Sequence, residues 1–379
     1  MKATIGRGCQ TKPIALAMAA WLRESTDKSL EKPSFQVGGW LISGHPSPAC
    51  LAVDVMTMRW SRIPETPNAP GVGGAFLGTS GDLLLMAGGS NFPGKPAWEG
   101  GAKAWHDTVY SIGHRNRKWT AIGKLPRAIG YGVGISIRQG LLTIGGANAE
   151  RHYQDCYVLS VEEDELKVRP FPFLPRPLAY AAGALVGSKV IVAGGTERPD
   201  ATAASSTAYA IDLANLTGGW KELPLWAGSG RMLAQAAGTK DTFYLFGGVA
   251  LTAGAKGAER QYLTDCHAFT LGKEWRRLAP LPRPIAAAPT PCPFVGDQAL
   301  LLGGDDGSLA GKVEAAKHPG FSKKILSYDR TLDAWSEAGE APGALLTTGC
   351  AKWNGGIAVV NGEIRPCMRS SEGWLGREE

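Results

Sequence analysis

Gly-Gly pairs recur in phase along the chain at Gly88-Gly89, Gly145-Gly146, Gly194-Gly195, Gly247-Gly248 and Gly303-Gly304, successive ones between 49 and 57 residues apart. Each closes an apolar run: LLLMAGG, LLTIGG, VIVAGG, FYLFGG and ALLLGG. In a sixth run, GGIAVVNGE, Asn361-Gly362 takes the place of the pair, 58 residues after Gly303. Self-similarity at a fixed period of this length marks an array of one repeated supersecondary unit. Three further features keep the same phase. An aromatic follows each pair across a loop (Tyr110, Tyr157, Tyr209, Phe269, Tyr328), then comes a tryptophan (Trp119, Trp220, Trp275, Trp335), with Val168 in its place in the second repeat. A Leu-Pro-Arg then opens the next unit at residues 125–127, 174–176 and 281–283.

Short apolar strands with Gly/Pro turns and no long helical period fit four-stranded blades packed face to face. The period of ~50 residues is that of Kelch repeats. The fold class expected is therefore all-β, a six-bladed Kelch-type β-propeller. The aromatics read as wedge fillers between blades, with no catalytic role. The last repeat runs out early, while CLAVDVMTMRWSRIP is an orphan half-repeat whose Trp60 lies 59 residues before Trp119. N- and C-terminal strands should thus share the last blade, with the segment 50–63 closing the ring and removing free sheet edges. Only nine residues follow Ser370, which points to the N-terminus as the source of all the outer strands of that blade.

Composition agrees with an ordered globular protein: of 379 residues 44% are hydrophobic and 20% charged, with 51 glycines and 25 prolines. No stretch approaches the ~20 apolar residues of a membrane span. The net charge of +6 is a mild bias toward anionic ligands, and the basic residues form no polybasic run, so neither nucleic acid nor a membrane is implied. The cysteines (Cys9, Cys50, Cys156, Cys266, Cys292, Cys350, Cys367) form no CxxC and read as small buried apolar residues rather than a disulfide framework. Residues 1–36 stand apart from the propeller assigned to 37–379. Lys2, Arg7 and Lys12 precede an apolar run from Pro13 to Leu22. That order suits a signal peptide, which would place the protein in the periplasm or outside the cell. It equally suits an uncleaved N-terminal extension on a cytoplasmic protein.

Propellers bind small ligands at one mouth of the central channel, on loops leaving the blades. Three loops depart from the repeat pattern with polar groups no blade needs. Residues 88–110 carry Asn91, Lys95, Trp98, Glu99, Lys103, Trp105 and His106. Residues 303–329 carry Asp305, Asp306, Lys312, Glu314, Lys317 and His318, and residues 361–370 carry Glu363, Arg365 and Arg369.

The pattern resembles the N-acetylneuraminate epimerases (sialic acid mutarotases), Kelch propellers of bacterial sialic acid use, and most of all their cyclically permuted branch. GGSNFPGKPAWEGGAKAWHD and GGDDGSL…KHPGFS look like that branch's long loops, and GEIRPCMRS resembles the family motif G-E-x-[KR]-P-x-x-R-[ST]. The resemblance implies that Glu363 and Arg369 are the active-site pair of a mutarotase, an isomerase. Mutarotation moves a proton between the anomeric hydroxyl and the ring oxygen, work a carboxyl group does as general base and acid. Glu363 suits that role. Arg369 suits clamping a sugar carboxylate, or holding Glu363 ionised. Arg365, Lys103 and the arginines Arg127, Arg176 and Arg283 would make the mouth positive, although the last three also suit bonds between neighbouring blades. Asn91, Trp105 and His106, with Asp305 and His318, complete the candidate substrate-binding set. The implied partner is a small anionic sugar, with no cofactor and no metal.

Other readings compete. Glu363 and Arg369 suit a surface salt bridge closing a turn. A Kelch module that only binds a protein usually has uniform loops and an attached domain. A copper oxidase on the same propeller needs two histidines and two tyrosines at the metal, one tyrosine linked to a cysteine, and the six histidines show no such set. A sialidase would show SxDxGxxW boxes, which are absent.

Overall fold

The computed structural model of the chain describes residues 57–115, 117–255 and 257–379. The readings made for residues 1–36, and for the start of the closing segment, lie outside them. Six four-stranded antiparallel sheets follow one another as blades. The first holds Phe76–Ser80, Leu83–Ala87, Thr108–Gly113 and Thr120–Lys124, from channel to rim. The second runs from Val133–Ile137 to Glu165–Phe171, the third from Ala182–Val186 to Lys221–Glu222, the fourth from Gln235–Gly238 to Trp275–Leu278, and the fifth from Phe294–Val295 to Ala334–Glu340.

The sixth blade joins the termini. Cys350–Trp353, Gly356–Val360 and Gly373–Glu378 come from the C-terminal end, and Met58–Ile63 pairs outside them with Met58 opposite Glu378 and Ile63 opposite Gly373. The closure is therefore three strands plus one. The expectation that the N-terminus supplies all the outer strands fails for the third, because GWLGRE fits that strand within the last residues of the chain.

Each blade interface has its own apolar cluster, and alternation along the strands explains how. In Leu83–Ala87, Leu84 and Met86 pack toward the sixth blade beside Ile63, Val360 and Leu375. Leu85 and Ala87 pack toward the second, beside Leu141 and Leu159. A strand buried on both faces needs apolar residues at every position, hence the near-continuous runs seen in the sequence. The remaining interfaces repeat the arrangement.

The tryptophans add a polar staple. The indole N–H of Trp119 donates to the carbonyl of Pro64 at 2.8 Å, Trp220 to Pro172 at 2.8 Å, Trp275 to Pro224 at 2.6 Å and Trp335 to Ala279 at 2.9 Å. Each acceptor lies just beyond the outer strand of the preceding blade. Trp119→Phe keeps an aromatic in the seam but leaves the Pro64 carbonyl unpaired. It is expected to lower the unfolding free energy by about 1–2 kcal/mol in urea titration. At the same seam Asn361 stands where the other repeats have glycine, with φ 59°. Its buried Oδ1 accepts hydrogen bonds from Thr66 Oγ1 and the Val72 amide, both at 3.0 Å, tying the sixth blade to the segment leading into the first.

Around the channel the backbone closes on itself. The amide of Gly74 donates to the Thr347 carbonyl (2.5 Å), Tyr131 to Gly74 (2.7 Å), Tyr180 to Tyr131 (2.8 Å), Leu233 to Tyr180 (2.8 Å), Ala287 to Leu233 (2.8 Å) and Thr347 to Ala287 (2.7 Å). One residue per blade thus forms a continuous belt, every one with φ between 51° and 73°. Of the cysteines in the described residues, Cys156, Cys266, Cys292 and Cys350 are buried and Cys367 is half-buried.

Candidate active site at the channel mouth

Strands alternate in direction within a blade, so loops after the second strands emerge on the same face as the links between blades. The belt lies on this face, and below it the channel narrows to a cavity of about 60 Å³ lined by Tyr131, Tyr180, Leu233, Ala287 and Thr347 among others.

The hairpin of Glu363–Arg365 with Met368–Arg369 stands beside this mouth. Cys367, at φ 62°, makes its tight turn. The register sets Glu363 directly opposite Arg369. That is why residues six apart in sequence meet side by side. Arg369 Nη1 lies 2.7 Å from Glu363 Oε1, with the side chains only 5% and 17% exposed. The pair closes a turn, as the simpler reading has it, with Arg369 buried and Glu363 half-buried. The Cys367 amide also donates to Oε1, at 2.6 Å. Both interactions fall on one oxygen, and no hydrogen bond engages Oε2 among the described residues.

The rest of the Arg369 guanidinium is fixed by the first loop and the second blade. Nε donates to the Ser90 carbonyl (3.4 Å) and Nη2 to the Tyr131 hydroxyl (3.2 Å). The Phe92 ring lies 5.8 Å below. Nη1 makes no well-directed hydrogen bond despite its closeness to Glu363. Burial opposes the charge on Arg369, yet Glu363 and Tyr131 hold its pKa above the ordinary value. A Cβ on Gly73 would come within 2.6 Å of Arg369 Nε, so the side chain lies directly on that backbone.

The other candidate residues divide. The Lys103 ammonium sits 4.4 Å from the Tyr131 ring and 4.5 Å from the Trp105 ring, and those rings meet edge to face at 5.6 Å. These residues gather around the Glu363–Arg369 pair. Arg365 joins the three unusual loops: Nη1 donates to the Ala316 carbonyl (3.4 Å), and the guanidinium lies 5.8 Å from the Trp98 ring. Asn91 and His106 are engaged with each other, Nε2 to Oδ1 at 2.9 Å, and Asn91 also donates to the Gly71 carbonyl at 3.0 Å. Burial lowers the His106 pKa, against a small opposing effect of Asp107. Asp305 accepts from the Tyr262 hydroxyl (2.7 Å) and the Gly307 amide (3.0 Å). His318 is buried, and its Nδ1 accepts from the Gly320 amide (3.1 Å). Asn91, Asp305 and His318 thus bond within and between the loops that frame the mouth. Arg127 pairs with Asp155 at 2.6 Å, Arg176 with Glu197 at 3.4 Å, and Arg283 donates to the Gly303 carbonyl at 3.2 Å. Each of these bonds ties the link that enters a blade to that same blade, so the expectation that these arginines bond between neighbouring blades fails.

Sequence reasoning passed over Tyr131 and Tyr180. Their rings are 5.2 Å apart at the mouth. Burial, with a smaller contribution from Tyr131, pushes the Tyr180 hydroxyl up to about 12. Both occupy the same place in their repeats, four residues after Leu-Pro-Arg, in LPRAIGY and LPRPLAY. That phase was the available signal. Among the described residues no group of three or more His, Cys, Asp or Glu side chains gathers as a metal-ligand set.

Comparison with known proteins bears on the family. A model of the N-acetylneuraminate epimerase family matches residues 51–168. N-acetylneuraminate epimerase of Haemophilus influenzae (strain 86-028NP) is 37% identical over 103 residues, 24% of this chain and 27% of the relative. That of Brucella suis is 34% identical over 131 residues, 30% and 33% of the two chains. That of Yersinia enterocolitica is 28% identical over 238 residues, 55% and 58%. The match to the Haemophilus and Brucella enzymes thus spans about a quarter to a third of their length, and the family-model match ends before Glu363. The solved structure of YjhT superposes with a TM-score of 0.63 at 15% identity, over 83% of this chain and 96% of that one, a likeness of fold. Over part of its length the chain is thus similar to the N-acetylneuraminate epimerases.

Proposed function

We propose that this protein is a sugar mutarotase, an isomerase that interconverts the anomers of N-acetylneuraminic acid or a closely related keto-sugar acid. The pairing of half-buried Glu363 with buried Arg369 at the channel mouth, with Glu363 Oε2 unengaged, carries this reading. The kinship with N-acetylneuraminate epimerases supports the choice of sugar. Oε1 is anchored by Arg369 and the Cys367 amide. Oε2 is then the oxygen that takes the proton of the anomeric hydroxyl as the ring opens and returns it when the ring closes on the other face. Arg369, kept charged despite burial, sets a fixed positive charge beside Glu363. The exposed Lys103 supplies further positive charge for an anionic substrate.

The test is to dissolve the pure α anomer of N-acetylneuraminic acid and follow its anomeric signals by proton NMR. Wild type is expected to speed equilibration, and Glu363→Gln to lose that acceleration by about 10²–10⁴-fold. A wild-type rate equal to buffer, for this sugar and a panel of reducing sugars, would sink the reading in favour of a propeller that only binds.

A further inference from the structure

Opening a sugar ring needs two proton transfers at two oxygens, and the carboxylate accounts for one of them. We propose that Tyr131 is the second: its phenol gives a proton to the ring oxygen while Glu363 takes one from the anomeric hydroxyl. This rests on the mutarotase reading and deepens it.

Three observations converge on Tyr131. It belongs to the backbone belt, and its side chain lines the channel cavity. Its hydroxyl reaches the catalytic pair, accepting from Arg369 Nη2 at 3.2 Å while Ser90 Oγ lies at 2.9 Å. A phenol oxygen that accepts from a guanidinium has its own proton free to point elsewhere, toward Ser90 or an incoming sugar oxygen. The third observation is charge. Arg369 touches the hydroxyl and the Lys103 ammonium lies 4.4 Å from the ring. Both cations stabilise the phenolate that donation leaves. One guanidinium thus faces both proton-handling groups, Nη1 toward Glu363 and Nη2 toward Tyr131.

The step balances. The anomeric O–H bond breaks toward Glu363 Oε2, the oxygen's electron pair forms the carbonyl, and the bond from the anomeric carbon to the ring oxygen breaks. That oxygen takes the Tyr131 proton. Glu363 is then neutral and Tyr131 anionic. Rotation of the open chain and closure on the other face reverse every transfer, returning both groups to their starting state.

The experiment measures mutarotation by NMR against substrate concentration and pH for wild type and Tyr131→Phe, with circular dichroism melts to show folding. Phenylalanine keeps the ring that Lys103 and Trp105 pack against. Tyr131→Phe is expected to lower kcat about 10²-fold, with KM within about twofold. The alkaline fall in kcat that ionisation of a phenolic acid imposes on the wild type should disappear in the variant. A Tyr131→Phe variant with wild-type kcat, or one raised only in KM with the alkaline limb intact, overturns the proposal in favour of Tyr131 merely steadying Arg369. These outcomes leave mutarotation by Glu363 standing. A wild type inactive on every sugar sinks that activity and the role of Tyr131 together.

Discussion

Deleting residues 50–63 is expected to abolish cooperative folding of the whole ring, although it removes one strand of the described structure. Met58–Ile63 pairs along its full length with Gly373–Glu378. It brings Ile63 to the seam cluster between sixth and first blades, and Arg62 to Glu372 at 3.2 Å. It is also the covalent route by which the sixth blade leads into the first. Without it, Gly373–Glu378 becomes an open edge whose unpaired amides and carbonyls invite intermolecular pairing. This strand pairing joins the two ends of the chain, and no neighbouring element can replace it. The check is a thermal melt with size-exclusion chromatography. The expected result is loss of the single sharp transition and a shift to aggregate. A monomer melting within a few degrees of wild type would mean that five blades hold the ring by themselves.

The second large effect is expected at the seam between third and fourth blades. There Arg231, fully buried, occupies the place filled by Val72, Ile129, Leu178, Ile285 and Leu345 at the other seams. Its Nη2 donates to Asp265 Oδ2 at 2.6 Å, and Nη1 to the Gly247 carbonyl at 3.0 Å. His267 Nε2 reaches the same carboxylate oxygen at 2.7 Å. Asp265→Ala leaves a buried guanidinium without its counter-charge and is expected to cost about 3–5 kcal/mol in denaturant unfolding. The double variant Arg231→Ile with Asp265→Ala, which restores an apolar residue like those at the other seams, should recover more than half of that loss. A double variant as unstable as the single would show that the pair does more than fill the seam. Burial alone would raise the Asp265 pKa, but hydrogen bonds from His267 and Arg231 outweigh it and hold the carboxyl well below the ordinary aspartate range. A depressed carboxylate stabilises the fold at pH above about 4, and this share is lost as pH falls through the folded value. Asp265→Ala should therefore lose less stability than wild type on going from neutral to acid pH.

The ring was legible because its determinants are local and repeated. Paired glycines, runs buried on both faces and in-phase tryptophans each leave a mark that recurs about every 50 residues. The third strand of the sixth blade was not legible: its short GWLGRE carries two glycines and two charges, and its pairing is decided by Met58–Ile63 far away in sequence. At the candidate site the hairpin spacing of Glu363 and Arg369 could be read, but the state of their surroundings could not. Asn91 and His106 look like ligand-facing groups in sequence, yet a 2.9 Å bond joins them to each other. Tyr131 lies outside the in-phase aromatics that the sequence singles out. Its left-handed backbone and its place in the belt, which turn it toward the mouth, depend on six blades meeting.

The belt also bears on how such a protein can change. Its bonds are amide to carbonyl, so the belt asks mainly for a tolerance of positive φ, except at Gly74, where a Cβ would lie 2.8 Å from the Tyr131 amide nitrogen. The side chains there are now hydrogen, phenol, phenol, isobutyl, methyl and hydroxyethyl, from Gly74, Tyr131, Tyr180, Leu233, Ala287 and Thr347 in turn. The chemistry facing a ligand is thereby uncoupled from the framework that holds it. Five settings that already carry side chains around one collar let selection, or a designer, rewrite what the mouth accepts while every blade stays in place.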